Sequence, residues 1–92
     1  MNEPIYQGNI VTIEVVFRNK AKETVEPTLV DCSVREPNGT IEKLSPTRDS
    51  LGTWHRNIIV GRPGRWEYRW AGTGVVTAAN ESSFWVENSD II

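Results

Sequence analysis

The sequence contains a single cysteine, Cys32, among its 92 residues, so no disulfide can form within the chain. Secreted domains of this size usually carry several disulfides. The N-terminal residues include neither the basic nor the apolar segment of a secretory signal, and no apolar run approaches the roughly 20 residues of a membrane span. We therefore expect a chain that is made and folded in a reducing cytoplasm and that reaches the outside only as part of a particle.

Neither sign of charge dominates: ten basic and twelve acidic residues give a net charge of −2. Proteins that bind nucleic acid usually present a basic face, and membrane-surface segments are rich in Lys and Arg. The composition gives no reason to expect nucleic acid or a membrane as the partner. A chain of this length buries about two-thirds of its unfolded surface, which supports one core and leaves little room for a deep cleft.

Residues that carry chemistry are scarce. Covalent catalysis needs a nucleophile beside a base, and a zinc site needs several Cys and His ligands. The chain has only Cys32 and His55, and we expect the first in the core and the second at the surface or rim. The glycines in 61–64 and 72–74 are interpreted as turns, because no helix follows to form a phosphate site. The sequence thus predicts no catalytic residue, no cofactor and no metal.

Alternation of apolar and polar residues with a period of two is the main structural signal, and it predicts half-buried strands. Residues 10–18 show it most clearly, and the apolar positions of their buried face are Val11, Ile13, Val15 and Phe17. Further strands are predicted at 28–36, 40–45, 53–60, 65–71, 75–78 and 82–87. A tight hairpin is expected at Asn38-Gly39, and polar loops at 19–26 and 45–52.

Six or seven short strands, with turn signals every 8–12 residues, are typical of an all-β sandwich of the immunoglobulin kind. We predict an immunoglobulin-like antiparallel β-sandwich at residues 10–87, preceded by an N-terminal arm at 1–9 and followed by a C-terminal tail at 88–92.

Four segments together resemble small immunoglobulin-like proteins encoded among the structural genes of tailed bacteriophages and prophages. They are an opening strand GNIVTI at 8–13, a hairpin EPNGT at 36–40, the run GRWEYRWAGTG at 64–74, and a closing strand SFWV at 83–86. The resemblance covers residues 8–87.

The resemblance implies a fold and a setting in the virion, and it carries over no catalytic residue. We expect a non-enzymatic structural or accessory protein, multimeric on the particle, that binds capsid, connector or tail proteins, with head decoration or the neck favoured. The alternative is a module that binds carbohydrate or adheres to the host, because an exposed Trp can stack on a sugar ring.

Two groups of aromatic residues receive different interpretations. Trp66, Tyr68 and Trp70 lie on one face of their strand, and the charged residues between them mark the opposite face as wet, so we expect this stripe in the core. Trp85 alternates with Phe84 and Val86, which should point inward. Trp85 is therefore expected on the outer face, where Trp is enriched among binding hot spots.

The two ends of the chain carry isolated apolar residues in polar surroundings. These are Ile5 and Tyr6 in the N-terminal arm, and Ile91 and Ile92 in the C-terminal tail. Arms of this kind dock onto a neighbouring subunit or fray. With Trp85, these four residues complete the predicted partner-binding set.

Overall fold

A computed structural model describes residues 4–74, 78–89 and 91. Within these ranges the chain forms strands and turns and no helix. The strands are β1 (Ile5–Tyr6), β2 (Ile10–Val16), β3 (Leu29–Arg35), β4 (Ile41–Leu44), β5 (Thr47–Ser50), β6 (Thr53–Ile59), β7 (Gly64–Thr73) and β8 (Ala78–Glu87).

The strands form two sheets. One has five strands in the order β1-β8-β7-β3-β4, and the other has three in the order β2-β6-β5. Neighbouring strands are antiparallel except for β1 and β8, which run parallel. The described part of the chain is therefore all-β with two sheets, an architecture compatible with a β-sandwich.

Both sheets contribute to one hydrophobic core. Its buried members are Ile13, Val15, Phe17, Val30, Cys32, Val34, Ile58, Val60, Trp66, Trp70 and Val86. Burying apolar surface of this kind is the main force that holds two sheets together. The predictions that Cys32, Trp66 and Trp70 lie in the core are confirmed, and Tyr68 packs against the core while staying partly exposed.

Strand β7 illustrates how alternation positions the side chains. Trp66 and Trp70 are buried, and Arg65 and Arg69 are exposed on the opposite face. Strand β6, which precedes β7 in the chain and lies in the other sheet, follows the same rule, although the adjacent residues Ile58 and Ile59 obscured its phase in the sequence. Ile58 is buried and Ile59 is exposed.

The structure departs from the sequence expectation at two short strands. Strand β5 lies inside the predicted polar loop 45–52, and β1 lies inside the predicted arm 1–9. All four residues of β5 are exposed, so its pairing with β6 depends on backbone hydrogen bonds and leaves no apolar pattern. The last strand also begins earlier than predicted, at Ala78, whereas residues 75–77 of the predicted strand 75–78 lie outside the described residues.

We expect Trp70→Ala to lower the free energy of unfolding by about 3–5 kcal/mol, because it empties a fully buried site in the core. Trp85→Ala is the matched control, since Trp85 is 59% exposed, and its effect should stay within about 0.5 kcal/mol. Urea denaturation of the two variants measures both values. Equal losses would contradict the assignment of Trp70 to the core and of Trp85 to the surface.

Candidate partner-binding surface

Trp85 lies on the outer face of the five-stranded sheet. Its neighbours Phe84 and Val86 point inward: Val86 is fully buried, and the Phe84 ring stacks on Trp66 with centroids 6.2 Å apart and planes 7° apart. Because consecutive residues of a strand face opposite sides, Trp85 must point outward. Its cross-strand partner on β7 is Arg65, which is also exposed. The predicted position of Trp85 is confirmed.

Tyr6 lies on the same outer face as Trp85. Strand β1 pairs with β8 in the register Ile5↔Val86 and Tyr6↔Glu87, so Ile5 faces the core and Tyr6 faces outward. Ile5 is partly buried against the core, whereas Tyr6 is 49% exposed. The structure therefore separates the two residues: Tyr6 is available to a partner, and Ile5 is used to attach β1 to its own sheet.

Trp85 and Tyr6 form one surface, which we call the aromatic patch. Tyr6 is one strand across and two residues along from Trp85, which places their backbone positions roughly 8 Å apart given ordinary strand spacing and rise. Their exposed parts offer a partner roughly 200 Å² of aromatic surface. An exposed pair of this kind is typical of a contact site and less common on a solvated monomer face.

The rest of this outer face includes two ion pairs. Arg35 contacts Glu67 through two atom pairs, at 3.2 and 3.3 Å, and the Nη1 atom of Arg69 lies 2.9 Å from an Oε atom of Glu81. These pairs surround a shallow depression of about 320 Å³ beside the exposed Ile41. Exposed ion pairs contribute little to stability, at most about 1 kcal/mol each. They leave a face with little net charge beside the aromatic patch.

The C-terminal tail is only partly described. Ile91 is exposed, and its backbone N–H donates to the hydroxyl of Ser89 at 3.2 Å. Ile92 lies outside the described residues. A contact role for these two residues and for Ile5 stays a prediction.

Sequence reasoning missed a second exposed apolar pair, on the outer face of the three-stranded sheet. Ile10 and Ile59 lie opposite each other on β2 and β6 and are 66% and 72% exposed. The parity of β2 carried the signal for Ile10, because Ile10 shares the phase of Thr12 and Glu14. Ile59 could not be assigned from the sequence, since either of two adjacent isoleucines could have faced the core.

Glu26 organises a polar cluster at the end of the three-stranded sheet that lies opposite Ile10 and Ile59. Its carboxylate accepts hydrogen bonds from the Nε atom of Arg48 at 2.7 Å, the backbone N–H of Gly52 at 3.2 Å and the indole N–H of Trp54 at 3.2 Å. These contacts, the hydrogen bond from Arg48 first, hold the pKa of Glu26 below its ordinary value of 4.5. The cluster ties the segment before β3 to the turn between β5 and β6.

Gly52 is required at that turn. Its φ of +69° is a conformation that side chains disfavour, and an added Cβ would come within 2.7 Å of the Thr24 methyl group. The backbone can therefore approach Glu26 only with glycine at this position.

The two residues with reactive side chains are held apart. Cys32 is buried on the inner face of β3, and burial raises the pKa of its thiol to about 11. His55 lies on the outer face of the other sheet, half-buried, with its Nδ1 atom 2.7 Å from an oxygen of Asp49. Among the described residues there is no cluster of three or more His, Cys, Asp or Glu side chains that could hold a metal ion.

No protein-family model, curated protein or solved structure matches this chain. Within the described ranges, no helix is long and apolar enough to cross a membrane.

We expect Glu26→Gln to destabilise the fold at pH 7 and to have a smaller effect at pH 3. The pKa of Glu26 is lowered on folding, so the ionised carboxylate stabilises the fold above about pH 4.5, and this contribution is lost as the pH falls through the folded-state pKa. Urea midpoints of wild type and variant at both pH values measure the difference. Glu42→Gln, at an exposed position of β4, is the control. An effect of Glu26→Gln that is equally large at pH 3 would contradict this role of the charge.

Proposed function

We propose that this chain is a non-enzymatic, immunoglobulin-like structural or accessory protein of a tailed-phage virion, and that it binds another virion protein through the aromatic patch. The observation that carries the binding role is the exposure of Trp85 and Tyr6 side by side on the outer face of the five-stranded sheet. The resemblance of residues 8–87 to phage immunoglobulin-like proteins supports the virion setting, with the head or neck favoured.

The order of the strands supports the immunoglobulin-like assignment. In that fold, strands B, E and D are neighbours in one sheet, and strands G, F and C are neighbours in the other, which variable-type domains extend with C′. Strands β2, β6 and β5 follow the first order, and β8, β7, β3 and β4 follow the second. Strand β1 then extends the second sheet beyond the equivalent of strand G.

The placement of Cys32 and His55 favours binding over catalysis. A nucleophile and its base must lie within hydrogen-bonding reach. The thiol of Cys32 lies between the sheets with a raised pKa, whereas His55 faces away from the core and contacts Asp49. The backbone of the three-stranded sheet therefore stands between the two side chains.

Carbohydrate binding is the second candidate, and the exposed ring of Trp85 favours it. Trp54 is less suited to stack on a sugar, because it is half-buried and its indole N–H donates to Glu26. A glycan array distinguishes the two functions: retention that depends on Trp85, without incorporation into particles, would favour the glycan.

We expect the protein in purified particles of the phage or prophage that encodes it, detected by mass spectrometry at a fixed ratio to the major capsid protein. Particles that lack the chain would contradict the virion assignment.

We further expect Trp85→Ala to weaken rebinding to particles made without the chain by about 30-fold, the loss typical of a hot-spot aromatic. Leu51→Ala is the matched control, because Leu51 is 54% exposed, close to the 59% of Trp85, but lies in the turn between β5 and β6. It should change rebinding by less than about twofold. Binding by the Trp85→Ala protein at wild-type affinity would show that the partner uses a different surface.

A further inference from the structure

The edge strands of the two sheets are unequally protected against pairing with another chain. Strand β1 has two residues, β4 has four with the exposed charges Glu42 and Lys43, and β5 has four with an irregular register between Arg48 and Ser50. Short length, charge and irregularity are the usual devices that block an edge. Strand β2 is longer and regular: its seven residues, IVTIEVV, contain no Pro and no Gly, and Glu14 is their single charge.

The free edge of β2 presents a regular row of backbone groups. The register with β6 is continuous from Ile10↔Ile59 to Val16↔Thr53. Two hydrogen bonds continue this pairing beyond the ends of β2: the Val60 N–H donates to the Asn9 carbonyl, and the Phe17 N–H donates to the Gly52 carbonyl. The residues that bond to the β6 side are therefore the odd-numbered ones. In an antiparallel pair, alternate residues point their backbone groups to the two sides. The even-numbered residues therefore point theirs outward: Ile10, Thr12, Glu14 and Val16.

The described residues place no strand against this edge, since β2 pairs only with β6 in the sheet order that they define. The outer face of β2 carries Ile10 and Val16 beside this edge, and both side chains are exposed. The edge thus combines unpaired backbone groups with apolar side chains, which is the arrangement that accepts an added strand.

The sequence of β2 is complementary to itself. When two copies run antiparallel with Ile13 opposite Ile13, all seven residues are paired, and Ile10 faces Val16 on the outer face. Glu14 faces Thr12 of the other copy, so no like charges meet. Shifting the register by two residues in one direction would place the two Glu14 carboxylates opposite each other, and shifting it in the other direction would place Glu14 opposite Ile10. Each shift also leaves two residues of each strand unpaired.

The hydrogen-bonding pattern fits the same register. Residues 10, 12, 14 and 16 of one copy meet residues 16, 14, 12 and 10 of the other, and these are the residues whose backbone groups point outward. Four such pairs supply about eight hydrogen bonds. Ile13 lies at the centre as a pair without backbone hydrogen bonds, where side chains of opposite strands come closest.

From these observations we propose that two copies of this chain associate through β2, about a two-fold axis at Ile13, and join their three-stranded sheets into one of six strands. The occupant of the edge is a second copy because the register that pairs all seven residues also keeps the two Glu14 carboxylates from lying directly opposite each other. One strand pair is a small interface, so the dissociation constant is expected between micromolar and millimolar.

Sedimentation equilibrium over about two decades of concentration, up to roughly 1 mM, should show a reversible monomer–dimer equilibrium. Hydrogen exchange gives a second readout on the same samples. The amides of Thr12 and Glu14 should gain protection as the concentration rises, whereas those of Ile13 and Val15, which point toward β6, should be protected throughout.

Two substitutions at one position test the register. Thr12→Glu places a carboxylate opposite Glu14 at two symmetric positions, and Thr12→Lys places an ammonium group there. Both remove the hydrogen bond from the Thr12 hydroxyl to Asn57, so they share the same loss within the monomer. At low ionic strength the Thr12→Lys protein should dimerise at least about fivefold more tightly than the Thr12→Glu protein.

Three results would overturn the proposal. The first is a monomer at every concentration. The second is equal dimerisation by the two Thr12 variants, which would place any dimer contact elsewhere. The third is protection of the Thr12 and Glu14 amides that does not change with concentration, which would mean that the edge is covered within the chain. If Thr12→Glu fails to fold, the Thr12→Lys protein must still dimerise more tightly than wild type.

Discussion

The contact between the two aromatic-bearing strands β7 and β8 fixes the orientation of most of the molecule. Phe84 stacks on Trp66 across the register of these strands, and Trp70 is completely buried opposite Cys32. Trp70 contributes to the core through the apolar surface of its buried ring. Because successive side chains of a strand point to opposite faces, the residues that lie inward on β7 and β8 also determine which residues point outward. The outward positions of Arg65, Arg69 and Trp85 are consequences of the core.

Local periodicity and non-local pairing contributed unequally to what could be predicted. The long strands and the burial of Cys32 and Trp70 follow from alternation over neighbouring residues, which the sequence displays directly. Strand β1 could not be found this way, because Ile5 and Tyr6 are ordered by Val86 and Glu87, some eighty positions away. For the candidate site the same limit applies: the outward position of Trp85 was predictable, whereas the approach of Tyr6 to Trp85 depends on that parallel pairing.

The two ends of the three-stranded sheet differ in the residues that they present: polar and charged groups at one end, and apolar groups at the other. Near Gly52, the Glu26 carboxylate joins the segment before β3 to the turn between β5 and β6, and its lowered pKa means that these contacts favour the ionised form. At the other end, Ile10 and Ile59 lie opposite each other and are exposed to solvent. A polar anchor fixes one geometry through directional bonds, whereas apolar contact is non-directional and can be shared with another molecule. The second end is therefore the better placed of the two for association.

The proposed dimer and the proposed partner contact are geometrically compatible. A two-fold axis that relates antiparallel strands of one sheet runs perpendicular to that sheet, so both copies keep the same face upward. The five-stranded sheets of the two copies then lie on the same side of the joined sheet, and their aromatic patches face the same general direction. Two weak patches presented together bind a regular surface far more tightly than one, because the second contact forms at a high effective concentration. Repeated surfaces of this kind are what a virion offers, so dimerisation through β2 would strengthen binding through Trp85 and Tyr6 without any further contact.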